Sequence, residues 1–183
     1  VENKRRLTHK KRKKGVEINW FIDSICPQTK FMVASDYYKA RSQNNIKEVM
    51  RSIKDKSGGV IQVITTDGLL SYPNAIKTTF GYDKKLQRTR VFHNKVNASK
   101  DEGFNYPIER LHNNQRARTK TFRGFHGSVD SANAIMKGWA IYYNFITKHQ
   151  TIKCSPYEIA TDLKLENKNK WLELITLSNK WRS

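Results

Sequence analysis

Val60-Ile61-Gln62-Val63-Ile64-Thr65-Thr66-Asp67-Gly68 is a β-branched run that breaks at an acidic, glycine-bearing turn. β-Branched side chains suit the pleated surface of a sheet, so Val60 to Ile64 reads as a buried strand with Asp67 just past its carboxyl end. Upstream, Ile46, Val49, Met50 and Ile53 stand at i, i+3, i+4 and i+7, the apolar stripe of a helix that Asn44 or Asn45 can cap and Gly58-Gly59 closes. Further back, Val16, Ile18, Trp20 and Ile22 alternate with Glu17, Asn19 and Phe21 in a period-2 strand that stops at Asp23. Cys26-Pro27-Gln28-Thr29 supplies a turn and Phe31-Met32-Val33-Ala34 a return strand, which predicts a hairpin. Strand, helix and strand in that order require a crossover, and so predict an α/β fold with a partly parallel, mixed sheet flanked by helices.

Downstream, Ser71 to Phe80 reads as a second helix, with Pro73 in its first turn and Gly81 at its end. Lys84 to Lys100 is strongly basic, with Val91-Phe92-His93 as its only strand-like core. Ile108 and Leu111, followed by Thr119 and Phe122, form one helical stripe, while Glu109, His112, Asn113, Arg116 and Lys120 form another. The acid and the bases are therefore expected to share a face. After Gly124 and Gly127 a longer helix carries Val129, Ala132, Met136, Trp139, Tyr143 and Ile146, a stripe that reads as core. From Thr151 the tail is charge-balanced, holds Trp171 and Trp181, and is expected to pack back as one or two short helices. The chain thus divides into a basic arm over residues 1–15, a core over 16–149 and a helical tail over 150–183.

At 183 residues the chain suits one domain. Its hydrophobic fraction of 37% is low for a globular protein, yet aromatics at 11% and four Trp supply a real core and argue against wholesale disorder. Thirty-five Lys and Arg against 16 Asp and Glu leave a formal charge of +19, which points to a polyanion whose condensed counterions those cations displace. A merely solubilising surface is the alternative. In the arm, Lys4, Arg5, Arg6, Lys10, Lys11, Arg12, Lys13 and Lys14 stand against one acid, Glu2. No apolar run approaches the roughly 18–20 residues that span a bilayer, and no signal peptide is legible, so a soluble, cytoplasmic protein without a membrane partner is expected. Cys26 and Cys154 form no C-x-x-C pair, which indicates neither a zinc knuckle nor a disulfide framework.

Two acids could do chemistry. Asp67, where a strand runs out into a Gly turn, is a carboxylate that can be held rigidly and still reach solvent. Glu109 comes near the start of the amphipathic helix. Carboxylates from separate elements, converging amid positive charge, are what hard divalent cations need, with phosphate oxygens completing the shell. The alternative makes Asp67 a turn residue and Glu109 an acid favoured by the helix dipole.

Longer blocks add a resemblance. Thr29-Lys30-Phe31-Met32-Val33-Ala34-Ser35 with Lys39-Ala40-Arg41-Ser42, then Ile64-Thr65-Thr66-Asp67-Gly68-Leu69-Leu70-Ser71-Tyr72, resembles the catalytic core of insertion-sequence DDE transposases. Asn105-Tyr106-Pro107-Ile108-Glu109-Arg110-Leu111-His112, with Arg116-Ala117-Arg118-Thr119-Lys120 and Arg123-Gly124, is similar to that family's third-acid block. Gly138-Trp139-Ala140-Ile141-Tyr142-Tyr143-Asn144-Phe145-Ile146 with His149, and Ser155-Pro156-Tyr157-Glu158-Ile159-Ala160, look like its carboxyl-terminal signature and closing segment. The resemblance implies an RNase H-like fold and metal-dependent DNA cleavage and strand transfer with Mg²⁺ or Mn²⁺ as cofactor. It also implies transposon ends and target DNA as partners, and a homo-oligomer. Asp67 carries over as the second acid and Glu109 as the third. Arg110, His112, Arg116, Arg118, Lys120 and Arg123 are the expected DNA-binding side chains.

The chain departs from the family at the first acid, an Asp on the strand that precedes the hairpin. The sequence reaches that point at Val1-Glu2-Asn3. Either the Asp lies upstream and residues 1–15 are a remnant of the first strand, or Val1 occupies its place. Asp23 matches another recurring Asp of the family that is not one of its catalytic three; it reads as part of the turn into Phe31, with substitution for the first acid as the alternative. The expectation is an amino-truncated transposase core, with a catalytically dead DNA-binding remnant as the alternative.

Overall fold

The structure, a computed structural model, describes residues 20–96, 106–119 and 128–180. The basic arm, Val16 to Asn19, Lys120, Phe122, Arg123 and Trp181 lie outside the described residues. What the structure describes is a mixed α/β protein.

The expected hairpin forms from β1 (Trp20–Ile25) and β2 (Met32–Tyr38), antiparallel with Trp20 opposite Tyr38 and Ser24 opposite Ala34. Strand β1 runs past Asp23 to Ile25 because the turn closes later than its Pro suggests. The Cys26 N–H donates to the Phe31 carbonyl at 2.9 Å, and the Lys30 N–H to the Cys26 carbonyl at 2.9 Å, with Lys30 at a left-handed φ of 61°.

Helix α1 (Gln43–Lys56) buries Ile46, Val49, Met50 and Ile53, the stripe its periodicity predicts. Its cap is Ser42, not Asn44 or Asn45: the Ser42 hydroxyl accepts the Asn45 N–H at 3.2 Å, and the Asn45 amide turns back to the Ala40 carbonyl at 2.7 Å. Ile46 has to lie within the helix to be buried, so the first turn opens one residue after the serine. Ser42→Ala is expected to cost about 0.5–2 kcal/mol of stability. Asn44→Ala should leave the urea midpoint unchanged, and equal losses from both would move the cap back to the asparagines.

The chain leaves α1 through Gly58 and Gly59, at φ 61° and 77°. Strand β3 (Val63–Thr66) starts three residues later than the β-branched run suggests, and Val60 is exposed. Its parallel partner is β6 (Phe92–Lys95), with Val63 opposite Phe92 and Thr66 opposite Lys95. Among the described residues the hairpin, the β3–β6 pair and a small pair, β4 (Tyr82–Asp83) with β5 (Arg88–Thr89), are separate ladders. The expected single mixed sheet is thus present as a parallel pair and an antiparallel hairpin without a ladder between them. Nor is β3 buried throughout: Thr66 is, but Val63 and its β6 partner Phe92 are exposed at 54% and 62%, because β-branched composition selects a strand and not the layer that covers it.

Helix α2 (Ser71–Phe80) lies where the sequence places it and ends at Gly81, whose φ of 90° disfavours a side chain. Ile22 and Ala34 of the hairpin, the α1 stripe, Ala75, Ile76 and Phe80 of α2, and Val91 form the main core. This cluster holds the hairpin, α1 and α2 as one body, with β3 against it through Ile64.

A smaller cluster of Met32, Leu111 and Tyr143 seats α3 (Tyr106–Thr119) and the last long helix. That helix is α4 (Val129–Ile141), capped by Ser128, and it widens into a π-helical turn over Tyr142–Ile146. The wider π turn ends the helix, which does more than cover the hairpin. The Asn144 side chain accepts the Met32 N–H at 2.8 Å and donates to the Met32 carbonyl at 2.9 Å. Asn133 does the same for Tyr37, at 2.8 and 3.2 Å. The two asparagines are eleven residues apart, which returns to one helix face after three turns and rises about 16.5 Å. Five residues of strand span the same distance of about 16.5 Å. The helix therefore satisfies β2 at two points as a neighbouring strand would.

The tail forms α5 (Tyr157–Ala160) and α6 (Lys170–Lys180), as expected. The Glu158 carboxylate accepts the Ser155 N–H at 2.9 Å, half of a capping box, which gives the Ser-Pro-Tyr-Glu segment a plain structural reason. No residue of α6 is buried, so it packs back only loosely.

Candidate functional site

Asp67 follows the last residue of β3, as the sequence predicts. Its Oδ1 accepts the Leu69 N–H at 3.1 Å, which bends the chain into α2, and leaves Oδ2 facing outward. The side chain is 54% exposed, so it reaches solvent from a fixed position. Arg41 stands beside it. The guanidinium lies 3.9 Å over the Trp20 ring and places Nη1 3.6 Å from Asp67 Oδ2. An exposed pair of this length adds little stability, but it keeps a cation beside the carboxylate.

Asp23 has a different environment. Its side chain is 0% exposed, and Oδ2 lies 3.2 Å from Nε2 of His112 on α3. That contact lacks the angle of a good hydrogen bond, and both carboxylate oxygens are left without another partner. Burial pushes the His112 imidazole below its ordinary pKa, and the adjoining Asp23 only partly opposes this. His112 is therefore a pin between α3 and β1, not a free DNA-facing cation. One turn before it on the same face, Glu109 is exposed.

Tyr72, in the first turn of α2, connects the two acids. Burial first, then the field of Asp67, with a further push from Asp23, raises its phenol to about 12 against the opposing pull of Arg41. The hydroxyl therefore stays protonated, a hydrogen-bond donor in the field of both carboxylates. Neither Arg41 nor Tyr72 was assigned a role from sequence. Each stands inside a quoted block, but only the packing of α1 and α2 brings both to Asp67.

The remaining candidates scatter. Arg116 is exposed on α3, and Arg118 lies 4.7 Å over the Tyr142 ring. Arg110 lines a separate cavity, described below. Carboxylate oxygens are the right donors for a hard divalent ion. Their number is short: among the described residues no group of three His, Cys, Asp or Glu side chains could hold a metal ion, so these residues do not by themselves make a complete metal site.

Three histidines share one property. His93, whose Nε2 is 2.8 Å from Thr66 Oγ1, is held low by burial and then Lys95. His149 is held low by burial and then Lys30 and Arg110, and His112 as described. The unfolded chain, with ordinary histidines near pKa 6.5, then binds more protons than the folded one on acidification. Stability is expected to fall as pH drops below about 6.5 towards the folded values. Urea midpoints at neutral and mildly acidic pH check this, and a midpoint that rises on acidification would reverse the sign.

The described residues thus define a mixed α/β protein with an exposed acid at the end of a parallel strand and a buried acid pinned to a helix. No protein-family model matches the chain, and none of the curated proteins matches it. No helix among the described residues is long and apolar enough to cross a membrane.

Proposed function

We propose that this chain is the core of an insertion-sequence DDE-type transposase, an RNase H-like domain that acts on transposon ends and target DNA with Mg²⁺ or Mn²⁺ and assembles as a homo-oligomer. The observation that carries the reading is Asp67: an outward-facing carboxylate at the carboxyl end of a strand in a parallel pair, with Arg41 alongside. The antiparallel hairpin, the run from β2 through α1 to β3 and the docking of α3 on β1 beside Asp23 are consistent with that plan. In such a site Arg41 orients a phosphodiester and Tyr72 donates a hydrogen bond near the acids. A bound divalent ion would supply Lewis-acid activation of the phosphate. Glu109, the other acid of the proposal, lies on α3 a turn before His112.

The second reading is a DNA-binding remnant without cleavage. Incubating supercoiled plasmid with the protein and Mn²⁺, against an EDTA control, separates the two. Metal-dependent nicking supports the enzyme; none supports the remnant. Both readings require DNA affinity that falls steeply with salt, by about 0.9 in the log–log slope for each phosphate neutralised. A flat salt dependence, read by fluorescence anisotropy on a duplex, would remove both.

A further inference from the structure

The turn of the β1–β2 hairpin, the first turns of α3 and the loop after the π-helical turn enclose an open cavity of about 350 Å³. Asp67, Arg41 and Tyr72 are not among its walls. Among the described residues the lining contains three basic side chains, Lys30, Arg110 and His149, and no acid. Two tyrosines, Tyr106 and Tyr143, and an apolar floor that includes Ile25 and Leu111 complete it.

Each basic group comes from a different element. Lys30 occupies the left-handed position of the hairpin turn. Arg110 projects from the opening of α3. His149 has its backbone N–H bonded to the Cys154 carbonyl at 2.8 Å and its carbonyl to the Lys153 N–H at 2.9 Å. Its Nδ1 accepts the Thr151 N–H at 3.2 Å, which leaves the proton of the neutral ring on Nε2, and the Tyr143 ring meets it edge-on at 6.2 Å. Like charges do not converge on a concave, partly apolar site without cost, so the arrangement suits an anion. Aromatic walls beside it suit a flat ring attached to that anion. The volume lies at the small end of ligand sites and is closed to a paired, stacked base.

We propose that this cavity binds one unpaired nucleotide of a nucleic acid strand, with its phosphodiester between Lys30 and Arg110, His149 beside it, and its base against Tyr106 and Tyr143. The proposal rests on the nucleic-acid part of the function above and not on cleavage. Bound phosphate offsets the field of the two cations that face His149. The imidazole's pKa then rises, while Tyr143, the uncharged wall, contributes no opposing charge.

The test is NMR of the His149 ring in the whole chain, titrated separately with thymidylyl-thymidine, thymidine and inorganic phosphate. The dinucleotide's single diester charge does not titrate near neutral pH, so any pH dependence belongs to the protein. The dinucleotide is expected to shift the His149 signals saturably, raise its pKa, and bind at least about tenfold tighter than either fragment. Arg110→Gln and Lys30→Gln should each weaken it. Inorganic phosphate binding as tightly as the dinucleotide would make this a free-phosphate site and overturn the proposal. So would an unmoved His149 in the unmodified protein, which needs no variant to fold. Dinucleotide binding without plasmid nicking leaves the cavity standing and removes the cleavage reading. Nicking with an unmoved His149 removes the cavity alone.

Discussion

Asn144→Ala is expected to lower the free energy of unfolding by about 2–5 kcal/mol, because it orphans two buried backbone groups at once. Met32 and Asn144 are 3% and 4% exposed, so water does not readily replace the amide. The Met32 N–H and carbonyl each lose their partner on that side, and each unsatisfied group costs about 1–3 kcal/mol. Asn133→Ala removes the equivalent pair from Tyr37 at a half-buried position, and a smaller loss of about 1–2 kcal/mol is expected there. Asn144→Asp is a sharper probe. It keeps the acceptor for the Met32 N–H but removes the donor to the carbonyl and buries a charge, so it should be no more stable than the alanine variant. Urea denaturation gives the magnitudes, and hydrogen exchange at the Met32 amide gives the location. A loss below about 0.5 kcal/mol for Asn144→Ala would mean that the hairpin edge does not depend on the helix.

Asp67→Asn and Glu109→Gln should each reduce any Mn²⁺-dependent nicking to background while leaving stability within about 0.5 kcal/mol of the parent. The separation follows from exposure. Asp67 is more than half exposed and its Arg41 contact is a surface pair, so the fold loses only the turn bond to Leu69, which an Asn side chain also makes. Each substitution removes a negative charge, so DNA affinity should hold or rise as activity falls. Nicking that survives both substitutions would place the chemistry elsewhere and sink the assignment of these two acids. Nicking lost together with the fold would make Asp67 a turn residue, as its alternative reading has it.

The local features of this chain were legible because they depend on neighbours a few residues away. The stripe Ile46, Val49, Met50, Ile53 is a helix face whatever it packs on, and Ser71 to Phe80 is bounded by residues that act within one turn. Asp67 at the end of a strand followed from β-branched residues running into Gly68. The cap lies at Ser42 and not at the asparagines because Ser42, Asn44 and Asn45 all suit that position, and only the backbone conformation, extended at Ser42, decides among them.

Other features were invisible for a different reason. No periodicity says that β3 pairs with β6 and not with the hairpin, since a strand's hydrogen-bonding edge carries no side-chain signature. His112 was grouped with Glu109, Asn113 and Arg116 as a basic face, yet the carboxylate of Asp23 draws it inward, a contact between positions far apart in the chain. The cavity among Lys30, Arg110 and His149 is assembled from three distant segments.

The amino-acid sequence by itself determined the helices, the hairpin, the large positive charge and the two candidate acids, because periodicity, turn chemistry and charge count are local or additive. Tertiary structure alone decided which strands share a ladder, that Arg41 and Tyr72 stand at Asp67, and that Asn144 clamps Met32 from 112 residues away. Those choices depend on which buried polar groups find partners, and that is settled only when whole elements pack.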